Sequence, residues 1–183
     1  MKIASKAVLG LVLVALLLTC TSFAQPQAPR PPLDEMKKLD FLIGRWEGTG
    51  RMHKGPGAAA EEARVTEIVQ PKLGGAILLI EGIGRTGTDD RIVHNALGVI
   101  SFEAQSKEYR MRAYRADGRF VDPRIVVEDR KIVWSFDDPR AGSIRYTITI
   151  NDKGQWHEIG EMSRDGGKMW HPFFEMTLDK KEA

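Results

Sequence analysis

The run Phe41-Leu42-Ile43-Gly44-Arg45-Trp46-Glu47-Gly48-Thr49-Gly50 constrains this chain more than any other stretch. It alternates with period two. Trp46, Gly48, Gly50 and Met52 fall on one side, and Arg45, Glu47, Thr49 and Arg51 on the other. That period belongs to a β-strand with one buried face. Glycine inside a strand is costly, because it loses much backbone freedom on folding and packs no side chain. Glycines on the tryptophan side therefore predict a strand that bends sharply and lets a partner come close, as at the mouth of a small barrel.

The chain beyond Gly44 continues as strand and turn. Ala63 to Val69 alternates and ends at Pro71. Ala76 to Ile83 is apolar on both faces, which predicts a central, doubly covered strand. Ile92 to Phe102 follows, with Gly98 as a bend. Glu108 to Arg115 sets Tyr109, Met111 and Ala113 against Arg110, Arg112 and Tyr114. Asp117-Gly118 is a two-residue hairpin signal. Phe120 to Val127 and Lys131 to Phe136 are joined by Glu128-Asp129-Arg130. Ile144, Tyr146, Ile148 and Ile150 alternate cleanly with polar neighbours. Asn151 to Gly154 turns into Gln155 to Arg164, and Asp165-Gly166-Gly167 into Met169 to Leu178.

These segments make about ten strands with short turns and no room for crossover helices, so the sheet is antiparallel. Sequential hairpins with one apolar face each close most economically into an all-β, up-and-down barrel, which removes exposed edges. A two-sheet sandwich is the alternative. About ten strands leave room for an interior cavity. A single short helix, Leu33 to Leu42, leads into the first strand from a position where it would lie over one end of the barrel.

The first 24 residues read as a secretory signal. Lys2 and Lys6 give the basic start, Leu9 to Leu18 the apolar run, and Ser22-Phe23-Ala24 the cleavage site. That run is shorter than the roughly 20 residues a spanning helix needs. The expected address is periplasmic or secreted, after cleavage at Ala24. Leu17-Leu18-Thr19-Cys20 offers the competing reading of a lipoprotein anchored through Cys20, the one route to a membrane. Residues 25–32 form a proline-rich spacer, 33–179 the barrel domain and 180–183 a charged tail. Cys20 is the only cysteine, so the mature domain holds together without disulfides. The chain carries 27 basic and 25 acidic residues, and losing Lys2 and Lys6 with the signal makes the signs equal. Such a surface has no field to gather nucleic acid.

Several residues carry a family likeness. Gly44-x-Trp46 after a short helix resembles the opening of the calycin group, the lipocalins and fatty-acid-binding proteins. Gly44-x-Trp46-x-Gly48-x-Gly50 is also similar to the start of nitrobindin-like haem-binding barrels. Leu39 to Gly48, with Trp170-His171-Pro172-Phe173-Phe174-Glu175-Met176-Thr177, looks like a largely bacterial secreted family, domain of unknown function fifteen-seventy-nine. The likeness spans roughly Leu33 to Asp179. It implies a lipocalin-like barrel and carries no settled activity with it. In nitrobindin-like barrels an iron-ligating histidine opens the last strand, and His171 stands in a similar place. The resemblance thus nominates His171 as a haem ligand. Strict parity turns His171 away from Phe174, Met176 and Leu178, unless Pro172 introduces a bulge that resets the strand.

No nucleophile elbow, phosphate loop or cysteine nucleophile appears, and no two of the four histidines share a short metal-binding spacing. The candidate ligand contacts are therefore the aromatic and polar residues of the strands: Trp46, His94, Tyr109, Arg112, Tyr146 and Trp156. Trp46 fits the plug of a closed barrel end. His94 fits a hydrogen-bonded interior histidine. An inward Arg112 would meet an anionic head group, whereas an outward one would be solvated. The leading expectation is a carrier for a small apolar or amphipathic molecule. A haem-binding barrel is the alternative. A lipocalin-like enzyme is a second, and it requires a titratable group with a displaced pKa facing the interior.

Overall fold

The structure, a computed structural model, describes residues 33–182 apart from 54, 56–58 and 88. The signal, the spacer and Cys20 lie outside the described residues. The helix α1 spans Leu33–Lys37, and a 3-10 turn at Asp40–Leu42 follows it. The strands are β1 (Gly44–Met52), β2 (Glu61–Lys72), β3 (Ile77–Thr86), β4 (Ile92–Glu103), β5 (Glu108–Arg115) and β6 (Phe120–Val121), then β7 (Arg124–Glu128), β8 (Lys131–Asp138), β9 (Gly142–Ile150), β10 (Trp156–Ser163) and β11 (His171–Lys181).

All eleven form one sheet in the order β6-β5-β4-β3-β2-β1-β11-β10-β9-β8-β7. Every pairing is antiparallel, and each strand except β6 neighbours the next in sequence. The first strand pairs with the last, Gly48 opposite Leu178. The result is a curled, barrel-like all-β sheet with the expected up-and-down order, in place of two stacked layers. One joint has no ladder: β6 and β7 end the sheet, and a groove of about 1130 Å³ lined by Tyr109, Arg112, Tyr114 and Ile125 runs there.

Four details differ from the sequence reading. The stretch Phe120 to Val127 is two strands, because Asp122-Pro123 interrupts it and proline has no N–H to give a ladder. The helix shortens to α1, and its last turn tightens to 3-10. Strand β3 is central, but its convex side chains Ile77, Leu79 and Ile83 are only half-buried. The last strand runs to Lys181, past the expected strand end at Leu178.

Burial divides the concave face into two levels. At the helix end Leu39, Leu42, Trp46, Val69, Leu78, Ile100, Ile132, Trp156 and Leu178 are almost fully buried. Burying each such side chain stabilises the fold by about 1.5–3 kcal/mol. The indole of Trp46 donates to the Leu42 carbonyl at 2.8 Å and meets Trp156 edge-on at 5.8 Å. The Tyr109 hydroxyl donates to the Glu35 carbonyl at 2.8 Å and ties α1 down. That end is plugged. Toward the other end the inward residues Ala96, Ala113, Trp134, Phe136, Tyr146 and Phe174 are half-buried, and His94 and Arg115 are exposed. The sheet thus forms a cup with a packed floor and an open rim.

Candidate functional site

The floor of the cup carries two carboxyls. Strand β2 alternates Val65, Glu67 and Val69 inward, and β10 alternates Trp156, Glu158 and Gly160 inward. Glu67 is only 8% exposed and Glu158 7%. Glu67 lies between Trp46 of β1 and Gly82 of β3 in the ladder register. A Cβ on Gly82 would stand 2.5 Å from Glu67 Oε1, so glycine there clears the space the carboxyl occupies. Glu158 Oε2 accepts the Trp156 indole N–H at 3.2 Å. Among the described residues nothing donates to Glu67 or to Glu158 Oε1. No side-chain oxygen fully sealed from solvent lacks a partner, so each of these three oxygens keeps a small contact with solvent. The same holds for the Tyr146 hydroxyl.

Burial sets the electrostatics. It pushes the Glu67 carboxyl up to about 8, and the negative potential of Glu158 adds to the rise. It pushes Glu158 up to about 7, against the opposing Trp156 hydrogen bond. Both shifts have the sign expected of a carboxyl withdrawn from water without a cation beside it. The Tyr146 phenol is raised by burial and then by Glu158. At the rim His94 is lowered by desolvation and by Arg115. A perturbed titratable pair inside a concave surface is the pattern of a binding or reacting site.

Above the carboxyls stands an aromatic wall. Tyr146 stacks on Trp134 with centroids 4.2 Å apart, and Trp134 stacks on Phe136 at 5.9 Å. Phe173 and Phe174 meet Tyr146 edge-on at 5.7 and 6.1 Å. Two local devices make the room. Gly160 takes the place opposite Tyr146, where a Cβ would stand 2.7 Å from the ring. In β11 the register slips, pairing Gly160 with Phe174 and Glu161 with Pro172, so Phe173 is a bulge residue.

The residues nominated by sequence separate into groups. Trp46 and Trp156 belong to the floor, Tyr146 to the wall and His94 to the rim. Tyr109 is inward, but its hydroxyl is spent on α1. Arg112 is a correction: it lies on the convex face, because Tyr109 and Met111 take the inward parity of β5. It binds Asp122 through two hydrogen bonds of 2.6 and 2.7 Å and covers Phe120 at 4.4 Å. The bulge resets β11 so that His171 stands opposite Met162 on the concave side, where it is exposed. A haem-ligating imidazole needs a dry pocket and a partner fixing its other nitrogen. His171 has neither among the described residues, so it does not fit that role.

Glu67 and Glu158 were not anticipated. The signal that finds them is a single acid on the apolar face of a strand, as in Val65-x-Glu67-x-Val69 and Trp156-x-Glu158-x-Gly160. Among the described residues no cluster of three or more His, Cys, Asp and Glu is placed to hold a metal ion.

No family model matches the chain, and no curated protein does. Among solved structures it is similar to the crystal structure of Rv2717c from M. tuberculosis, with a TM-score of 0.59 and 14% sequence identity, over 82% of this chain and 98% of that one. At that identity the likeness is one of architecture: this chain has a barrel-like, antiparallel β fold of a kind already seen in a crystal.

Proposed function

We propose that this chain is a carrier that takes a small amphipathic molecule into its cup, apolar part against the Trp134–Tyr146–Phe174 wall and polar part toward Glu67 and Glu158. The observation that supports this most is that two nearly buried carboxyls with free acceptor oxygens lie on the concave face of the sheet, which also carries the stacked rings of Trp134 and Tyr146. A polar group without a partner at that depth costs about 1–3 kcal/mol, which a ligand that satisfies it recovers on binding. The leader read from the sequence would deliver this carrier to the periplasm or the cell exterior, and the calycin resemblance points to the same use of the fold. Purified protein incubated with cellular lipid extract should retain a small molecule in native mass spectrometry. Retention of nothing, with Tyr146→Ala protein behaving like wild type, would count against it.

The same carboxyls favour a second reading, acid–base chemistry on the bound molecule. A compound retained from extract and released chemically altered by wild type, but unaltered by Glu158→Gln, would distinguish catalyst from carrier.

A further inference from the structure

Resting on the interior-binding reading, we infer that the ligand carries an ammonium group, and that Glu67 is its counter-ion with Glu158 as the second acceptor. The inward floor offers acceptors and, apart from the proton a raised Glu67 carboxyl itself holds, almost no donors. Glu67 presents two oxygens without partners and Glu158 presents one, its other oxygen being held by Trp156. The Trp46 N–H is consumed by the Leu42 carbonyl. No lysine or arginine pairs with either carboxyl among the described residues. The cationic inward residue on the open side is Arg115, and it stands exposed at the rim, where solvent screens it.

This donor–acceptor balance selects among head groups. A carboxylate or phosphate would meet two acids and no buried cation, so nothing of opposite charge offsets the hydration it gives up. An alcohol brings one donor for three acceptor oxygens. A primary ammonium brings three donors and the opposite charge. In the low-dielectric floor its positive charge also favours the ionised carboxyl, so ligand and site stabilise each other's charged form. The aromatic wall above accepts the apolar remainder, which makes the class an alkyl- or arylalkyl-amine.

The test is isothermal titration at pH 7.5 with three matched sets: octylamine, octanol and octanoate; 2-phenylethylamine, 2-phenylethanol and 3-phenylpropanoate. At least one amine should bind about tenfold or more tighter than its alcohol, and the acids should not bind. Glu67→Gln, checked for folding by thermal unfolding, should abolish the amine preference, the amine losing at least tenfold more affinity than its alcohol. Glu175→Gln, on the convex face beside His157, should change none of the affinities. Equal binding of amine and alcohol overturns the inference, as does an amine preference that survives Glu67→Gln. So does the absence of binding by all six probes. In each of these cases a molecule retained from lipid extract keeps the carrier reading alive, whereas retention of nothing removes both.

Discussion

Replacing Glu67 by glutamine should abolish most of the pH dependence of stability above pH 5. The folded carboxyl is raised from 4.5 to about 8, chiefly by burial. Between those values the native state holds a proton that the unfolded chain has released. Unfolding therefore releases a proton, and stability falls as pH rises through this window, then levels off above the folded value. One pKa unit is worth about 1.4 kcal/mol, which sets a ceiling of about 5 kcal/mol for this fall. Water entering the cup reduces the real figure, and about 2–3 kcal/mol is the expected size. Glu158, raised to about 7, adds a smaller fall of the same sign, and the two are not additive because they share one space. Glutamine keeps the shape and cannot ionise. Urea unfolding followed by the fluorescence of buried Trp46 and Trp156 reads the effect directly. At pH 5 variant and wild type should differ by less than about 1 kcal/mol. At pH 8.5 the variant should be the more stable by about 2 kcal/mol at an unchanged m-value. A wild type with flat stability from pH 5 to 8.5, or a variant that keeps the full fall, would show that Glu67 is solvated and the floor is not dry.

Gly48→Ala should be the most damaging small change, because its Cβ would stand 2.1 Å from the Thr177 carbonyl oxygen and 2.9 Å from Leu178 Cα; a loss of about 3 kcal/mol or failure to accumulate as soluble protein is expected. Gly82→Ala meets only the end of the Glu67 side chain, so its cost of about 1–2 kcal/mol should largely vanish when combined with Glu67→Ala, as a double-mutant cycle would measure. Trp46→Phe leaves the buried Leu42 carbonyl without its 2.8 Å donor and should cost about 2 kcal/mol in chemical denaturation.

The architecture was legible because it is written in period two. The alternations around Trp46 and Tyr146 located their strands and the faces that turn inward. The Gly48 close approach was also readable, since only a crowding partner explains glycine at that position. What was misread traces to information that alternation does not hold. The convex face of β3 looked buried because Ile77, Leu79 and Ile83 are apolar, yet no second layer covers them. Arg112 was ambiguous until its neighbours' direction was known. Pro172 left the face of His171 open between strict parity and a bulge, and only pairing fixes the bulge at Phe173 and brings His171 to the rim. Glu67 and Glu158 were passed over because an acid within a strand is usually an outward one. Their own strands argued otherwise, through apolar residues at the flanking inward positions.

The missing ladder beside β7 matters for how the wall behaves. Ten of its joints are laced by backbone hydrogen bonds, while β5 and β7 approach without any. A fully laced hoop has a fixed girth, and widening it means breaking a whole ladder. This one is a split ring: its girth changes by flexing the gap, at the expense of side-chain contacts alone. A carrier built this way would take guests of different thickness without rupture of the sheet, and amides of Glu108–Arg112 and Arg124–Glu128 that point into the gap are the ones that will exchange with deuterium first.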